Sequence, residues 1–77
     1  MHDEIRDFIT NDLNKKDMKI ENQTSLFKNK ILDSLNISEL IMFLEDQYSI
    51  EVGMSDVNYD NFDSIDNIVG YIQFKRK

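Results

Sequence analysis

The chain has 77 residues and no cysteine, and its fifteen acidic and nine basic side chains give a net charge of −6. Neither a disulfide framework nor a thiolate zinc site is available, so apolar packing alone must hold one small domain spanning residues 1–77. At this size folding buries roughly 60% of the surface of the unfolded chain, which argues against a large enclosed active-site cleft. The acidity disfavours nucleic acid and favours partners with basic surface.

The opening MHDEIRDFIT lacks the basic start and continuous apolar run of a signal peptide, and no run approaches the roughly 20 apolar residues of a membrane span. A soluble, cytoplasmic, monomeric protein is expected. Ile5, Phe8, Ile9 and Leu13 recur at helical spacing among charges and predict an amphipathic helix from Asp3 to about Met18. From Lys19 to Lys30 the pattern is polar and irregular, so a long loop is expected, with Ile20, Leu26 and Phe27 pinning it to the core.

The clearest element follows. Ile37, Leu40, Ile41, Leu44 and Tyr48 form an i, i+3, i+4, i+7, i+11 stripe, with Asp33 as the expected N-cap and Ser34 as the first helical residue. Ile50 and Val52 alternate with polar neighbours, but a strand with no pairing partner is not viable, and an apolar connector ending at Gly53 is expected. Met54 to Asn61 is turn-rich with room for one short helix. Ile65, Ile68, Val69 and Ile72 then mark a last helix capped by Asp63 or Ser64. The closing Lys75-Arg76-Lys77 complements the negative end of that helix's dipole. The expected fold is all-α, a three-to-four helix bundle.

Ser34 raises the question of chemistry. A nucleophilic serine needs an adjacent base and an orienting third group, yet the only histidine is His2, and no glycine flanks Ser34 to form a nucleophile elbow. His2 itself, with no Cys or His cluster, reads as an exposed terminal residue rather than a zinc ligand. In DVNYDNFDSIDN, Asp56, Asn58 and Asp60 match the first three ligand positions of an EF-hand. Asn61 then stands where glycine is required and Asn67 where a bidentate glutamate is required, so turns and helix caps are the better reading. Tyr48, Phe62, Tyr71 and Phe74 read as core and edge packing, since base stacking does not suit an acidic surface.

Once the core stripe is assigned, Leu35 and Met42 remain off it beside Glu39, Glu45 and Asp46. Apolar side chains among carboxylates suit a docking surface for a basic partner. On residues alone, an acidic and calcium-responsive interaction module, in which Ser34 is only a cap, stays open.

The run DSLNISELIMFLEDQY, with the long preceding loop and the closing IDNIVGYI, resembles the acyl carrier protein family, whose signature is Asp-Ser-Leu opening an acidic recognition helix. The resemblance implies a non-catalytic carrier. In it, Ser34 receives 4′-phosphopantetheine from coenzyme A by the action of a phosphopantetheinyl transferase, Asp33 is the motif neighbour, and Leu35, Glu39, Met42, Glu45 and Asp46 dock partner enzymes. Cargo would ride as a thioester on the arm's thiol, which explains a thioester carrier without cysteine. Ile-Leu-Asp-Ser-Leu together with Phe62-Asp63-Ser64 looks more like D-alanyl and other stand-alone aminoacyl carriers, which are loaded by an adenylating ligase before the cargo passes to downstream acyl-transfer enzymes.

Overall fold

The computed structural model describes residues 1–15 and 18–76. Four α-helices, α1 (His2–Asp7), α2 (Asn36–Tyr48), α3 (Tyr59–Phe62) and α4 (Ile65–Lys75), surround one apolar core, and no strand occurs among the described residues. No described helix is long and apolar enough to cross a membrane. The all-α expectation holds, with α3 as the minor helix.

The first helix differs from expectation. It is α-helical only to Asp7 and continues as a π-helical turn, Phe8–Asp12, in which Leu13 N–H donates to Phe8 O at 3.2 Å and Lys15 N–H to Thr10 O at 3.0 Å. The wider turn suits this sequence: Ile5, Ile9 and Leu13 are spaced by strict fours, a spacing that drifts around a regular α-helix, yet all three are buried. Asn14, in the left-handed region at φ 59°, turns the chain away well before Met18. Residues 16 and 17, within the expected helix, lie outside the described residues, as does Lys77 of the basic tail.

The long loop is held from three sides. Leu26 has no exposed surface and Ile20 very little. Arg6 donates to Ile20 O at 3.2 Å and to the Asn22 side chain, and Asp66 N–H donates to Asn22 O at 3.0 Å. Asp63 receives Leu26 N–H at 2.5 Å on its carbonyl, and Ser25 Oγ–H at 2.8 Å and Phe27 N–H at 3.2 Å on its carboxylate. Beyond a left-handed Lys30 at φ 57°, Ile31 and Leu32 both bury and both donate their N–H to Leu26 O. This apolar pair was not assigned to the core from sequence, because two adjacent residues show no period.

The α2 stripe packs as expected, with Leu40 and Leu44 fully buried and Ile37, Ile41 and Tyr48 against the core. Phe43, off that stripe, stacks on Phe8 at 4.3 Å between ring centroids. A left-handed Ser49, φ 54°, ends α2, and Ile50 and Val52 pack on the core as a connector. After a 3₁₀ turn, Met54–Asp56, the Asn58 side chain caps α3 by accepting Asn61 N–H at 3.0 Å, and Ser64, rather than Asp63, caps α4 by accepting Asn67 N–H at 3.1 Å.

His2 is not a free terminal residue: within α1 its Nε2 lies 2.9 Å from Asp66 Oδ1 in the first turn of α4. Phe74 also departs from expectation, remaining exposed while Phe62 and Tyr71 pack together at 5.3 Å.

Two tyrosines tie the bundle's edges to carboxylates. Tyr48 O–H donates to Glu4 at 2.9 Å, joining α2 to α1, and Tyr71 O–H donates to Asp56 at 2.7 Å, joining α4 to the 3₁₀ turn. Burial first, then the carboxylate partner, pushes both phenols up from 10.0 to about 12. Because the folded state favours the neutral phenol, this stabilisation is complete below pH 10 and is lost as the pH rises towards 12. An alkaline absorbance titration should therefore show two late phenolate transitions, with Tyr48→Phe and Tyr71→Phe each deleting one. Phe62 has no exposed surface, and Phe62→Ala should cost about 3–5 kcal/mol in urea unfolding.

Candidate functional site

The turn from Asp33 to Leu35 projects from the base of α2. Asp33 is the cap expected from sequence: its Oδ1 accepts Leu35 N–H at 2.9 Å and Asn36 N–H at 2.8 Å, while its carbonyl accepts Ile37 N–H at 2.9 Å. Regular helix begins only at Asn36, so Ser34 and Leu35 belong to the entry turn and Ser34 is not the first helical residue. The Asn36 side chain also donates back to Ile31 O at 3.3 Å, closing the turn from below.

Ser34 is exposed, and the hydrogen bonds that hold the turn leave its hydroxyl out. Its side chain is thus free to carry a substituent without uncapping the helix. The N–H bond from Asn36, opposed by desolvation, holds the Asp33 carboxyl below its ordinary value of 3.8. Asp33 also occupies the first-turn amides that would otherwise receive an anion at the helix start.

Beside Ser34 lies an apolar depression of about 220 Å³, walled by Phe27, Ile37, Val57 and Tyr59, with Asp33, Ser34 and Asn58 completing its lining. The Phe27 and Tyr59 rings meet edge to face at 5.0 Å. Sequence reasoning missed this feature, because it joins the long loop to α3, some thirty residues apart in the chain.

The surface of α2 follows the expected division, with Leu35 78% and Met42 68% exposed and Glu39 and Asp46 also exposed. Glu45 differs. It is half-buried, and its carboxylate accepts Val52 N–H at 3.0 Å, so it braces the connector after α2. Exposed Met54 and Tyr59 were not picked out from sequence, since both sit in a polar, turn-rich segment without a period. Two of the three residues that suggested an EF-hand are otherwise engaged: Asp56 holds Tyr71 and lies 3.9 Å from Lys75, and Asn58 caps α3.

The helical bundle thus presents, in an Asp-Ser-Leu turn, an exposed serine outside the bonds that cap α2. A family model described as "Phosphopantetheine attachment site" matches residues 3–72. An acyl carrier protein from Buchnera aphidicola is 36% identical over 73 residues, covering 95% of this chain and 90% of that protein. A D-alanyl carrier protein from Lactobacillus acidophilus is 26% identical over 65 residues, covering 84% and 82%. One chain of a solved structure described as a crystal structure of an FAD-dependent dehydrogenase superposes with a TM-score of 0.80 at 26% identity, covering 87% of this chain and 96% of that chain.

The chain belongs to the phosphopantetheine-binding acyl carrier family. Its members are non-catalytic carriers whose cofactor is covalent 4′-phosphopantetheine, and they work with transferases and acyl-transfer enzymes. The exposed turn and the apolar groove beside it fit such a group: the turn offers a hydroxyl outside the capping bonds, and the groove suits apolar parts of an arm. When bound, the group supplies a thiol on which cargo is held as a thioester.

The Asp33 cap depends on an ionised side chain that the fold holds below its ordinary range, so its contribution is complete above about pH 4 and is lost as the pH falls through the lowered value. Circular dichroism should show Asp33→Asn losing part of that low-pH dependence of stability while remaining folded at pH 7.

Proposed function

We propose that the chain acts as one carrier domain whose attachment residue is Ser34. The observation that carries this reading is the position of Ser34, exposed and outside the cap on the Asp33–Leu35 turn. A phosphopantetheinyl transferase moves the arm from coenzyme A to the Ser34 oxygen, releasing 3′,5′-ADP, and the serine proton leaves with the reaction. The chain catalyses nothing itself. It holds acyl or aminoacyl cargo as a thioester and raises its effective concentration at each docked enzyme.

Leu35, Met42, Glu39 and Asp46 support a docking face for basic partners with a shallow apolar pocket. Glu45 belongs to that face only by its outer edge, because its carboxylate holds Val52. A monomer in the cytoplasm, where coenzyme A is at hand, completes the reading.

Two cargo classes have support. The Buchnera relative is named an acyl carrier, and the Lactobacillus relative a D-alanyl carrier, which favours trying an amino acid activated by an adenylating ligase beside acyl cargo. The solved chain bears on a later step. Its near-complete mutual coverage makes it carrier-sized, although the structure is described as an FAD-dependent dehydrogenase. This supports a flavoenzyme among the downstream partners, one that removes a proton and a hydride from thioester-bound cargo and leaves reduced flavin. A loss of two hydrogens from the loaded chain on incubation with such an enzyme would support this step, and an unchanged mass would count against it.

Incubated with coenzyme A and a broad-specificity transferase, the wild-type chain should gain one phosphopantetheine by intact-protein mass spectrometry. Ser34→Ala should gain none, yet differ in stability by less than about 0.5 kcal/mol, as expected of an exposed position. An equal adduct on both chains would remove Ser34 from the site.

A further inference from the structure

The carrier reading requires a polyanion to reach Ser34. Coenzyme A brings a diphosphate and a separate 3′-phosphate to a chain of net charge −6, with Asp33 standing next to the serine. The start of α2 cannot receive that charge, because the Asp33 carboxylate already holds Leu35 N–H and Asn36 N–H. The compensating cations must come from another element.

The long loop supplies them. Five of the nine basic residues fall between Lys15 and Lys30, against only Asp17 and Glu21, so this segment is basic within an acidic chain. Lys19 faces Glu21 at 3.6 Å, and Arg6 and Lys75 also face carboxylates. Lys28 and Lys30 are exposed and pair with no carboxylate among the described residues. Their turn is held without them: Lys28 N–H donates to Ser25 Oγ at 3.2 Å, the Asn29 side chain to Ser25 O at 2.7 Å and Lys30 N–H to Phe27 O at 3.1 Å. Both ammonium groups are left for a ligand.

Their position suits one part of coenzyme A. Lys30 precedes Ser34 by four residues, which sets their Cα atoms at most about 14 Å apart. The 3′-phosphate lies across the ribose from the diphosphate, so a cation that meets it must stand off from the serine. A compact ammonium is a good point-charge partner for a phosphate. Asn29, between the two lysines, lines a depression of about 250 Å³ with Met18, Lys19, Thr24 and Ile31. That exceeds the roughly 150 Å³ that takes a benzene-sized ring, and Met18 and Ile31 offer apolar surface to the face of a base. Two lysines beside a ring-sized depression match a phosphorylated nucleoside better than an extended acidic peptide.

We propose that Lys28 and Lys30 hold the 3′-phosphate of coenzyme A, with its adenine over Met18 and Ile31, while the transferase works on Ser34. This rests on Ser34 being the attachment residue. The Ser34 oxygen bonds to the phosphorus that bears the pantetheine, and the bond from that phosphorus to the bridging oxygen breaks. The bridging oxygen leaves on 3′,5′-ADP, and the serine proton is released. The carrier thus helps to select its own cofactor donor.

The test is the rate of phosphopantetheine transfer by a broad-specificity transferase, with coenzyme A or dephospho-coenzyme A, which lacks the 3′-phosphate, as donor. Lys28→Gln/Lys30→Gln keeps the side-chain length and the backbone bonds of the turn. It should lower kcat/KM for coenzyme A roughly three- to tenfold at low salt, as the loss of two exposed charge contacts entails. The same variant should use dephospho-coenzyme A as well as the wild type does, and Lys28→Arg/Lys30→Arg should restore the rate with coenzyme A. An equal loss with both donors would overturn the inference and assign the lysines to an acidic surface of the transferase. No loss with either donor would also overturn it and leave the carrier reading intact. Failure of the wild-type chain to form any adduct would remove the Ser34 reading and this inference together.

Discussion

Asp63, at the junction of α3 and α4, is the residue on which the placement of the site depends. Its carbonyl holds Leu26 N–H, and its carboxylate holds Ser25 and Phe27. A loop with no regular structure of its own has many backbone donors to satisfy, and these bonds supply partners in the segment that must enter the core. With Leu26 anchored, its carbonyl receives the N–H groups of Ile31 and Leu32, and the chain arrives at Asp33 in a set orientation. Loop, groove wall and serine turn are thus one structure built outward from a single residue, through its carbonyl and its carboxylate together.

The cap then divides labour between neighbouring residues. Asp33 satisfies the start of α2 and leaves Ser34 exposed, so a substituent on this serine, as proposed, would not remove a bond the fold needs. This separation matters for a carrier, which must present the same surface to several enzymes with and without cargo. The reactive thiol resides in the arm, which is consistent with a chain that has no cysteine of its own.

Much of this was legible in the sequence because periodicity and capping are local. The α2 stripe, the α4 core positions, the Asp33 cap and the need for Leu26 and Phe27 to pin the loop all follow from side-chain spacing and hydrogen-bonding type. What escaped was non-local or aperiodic. The π-helical turn at Phe8–Asp12 obeys tertiary packing over propensity, and adjacent Ile31 and Leu32 carry no period. The pairing of His2 with Asp66, the bracing of Val52 by Glu45 and the meeting of Phe27 with Tyr59 each join segments that only the folded chain brings together. The serine was singled out by its motif, whereas the groove beside it needed the structure.

The central claim is that one particular hydroxyl carries the arm, although the chain offers other serines in turns and caps. Fragmentation mass spectrometry of the transferase-modified chain addresses it directly, by locating the phosphopantetheine along the sequence. The account predicts the group on Ser34 alone; the group on Ser25, Ser38, Ser49, Ser55 or Ser64 instead would contradict it.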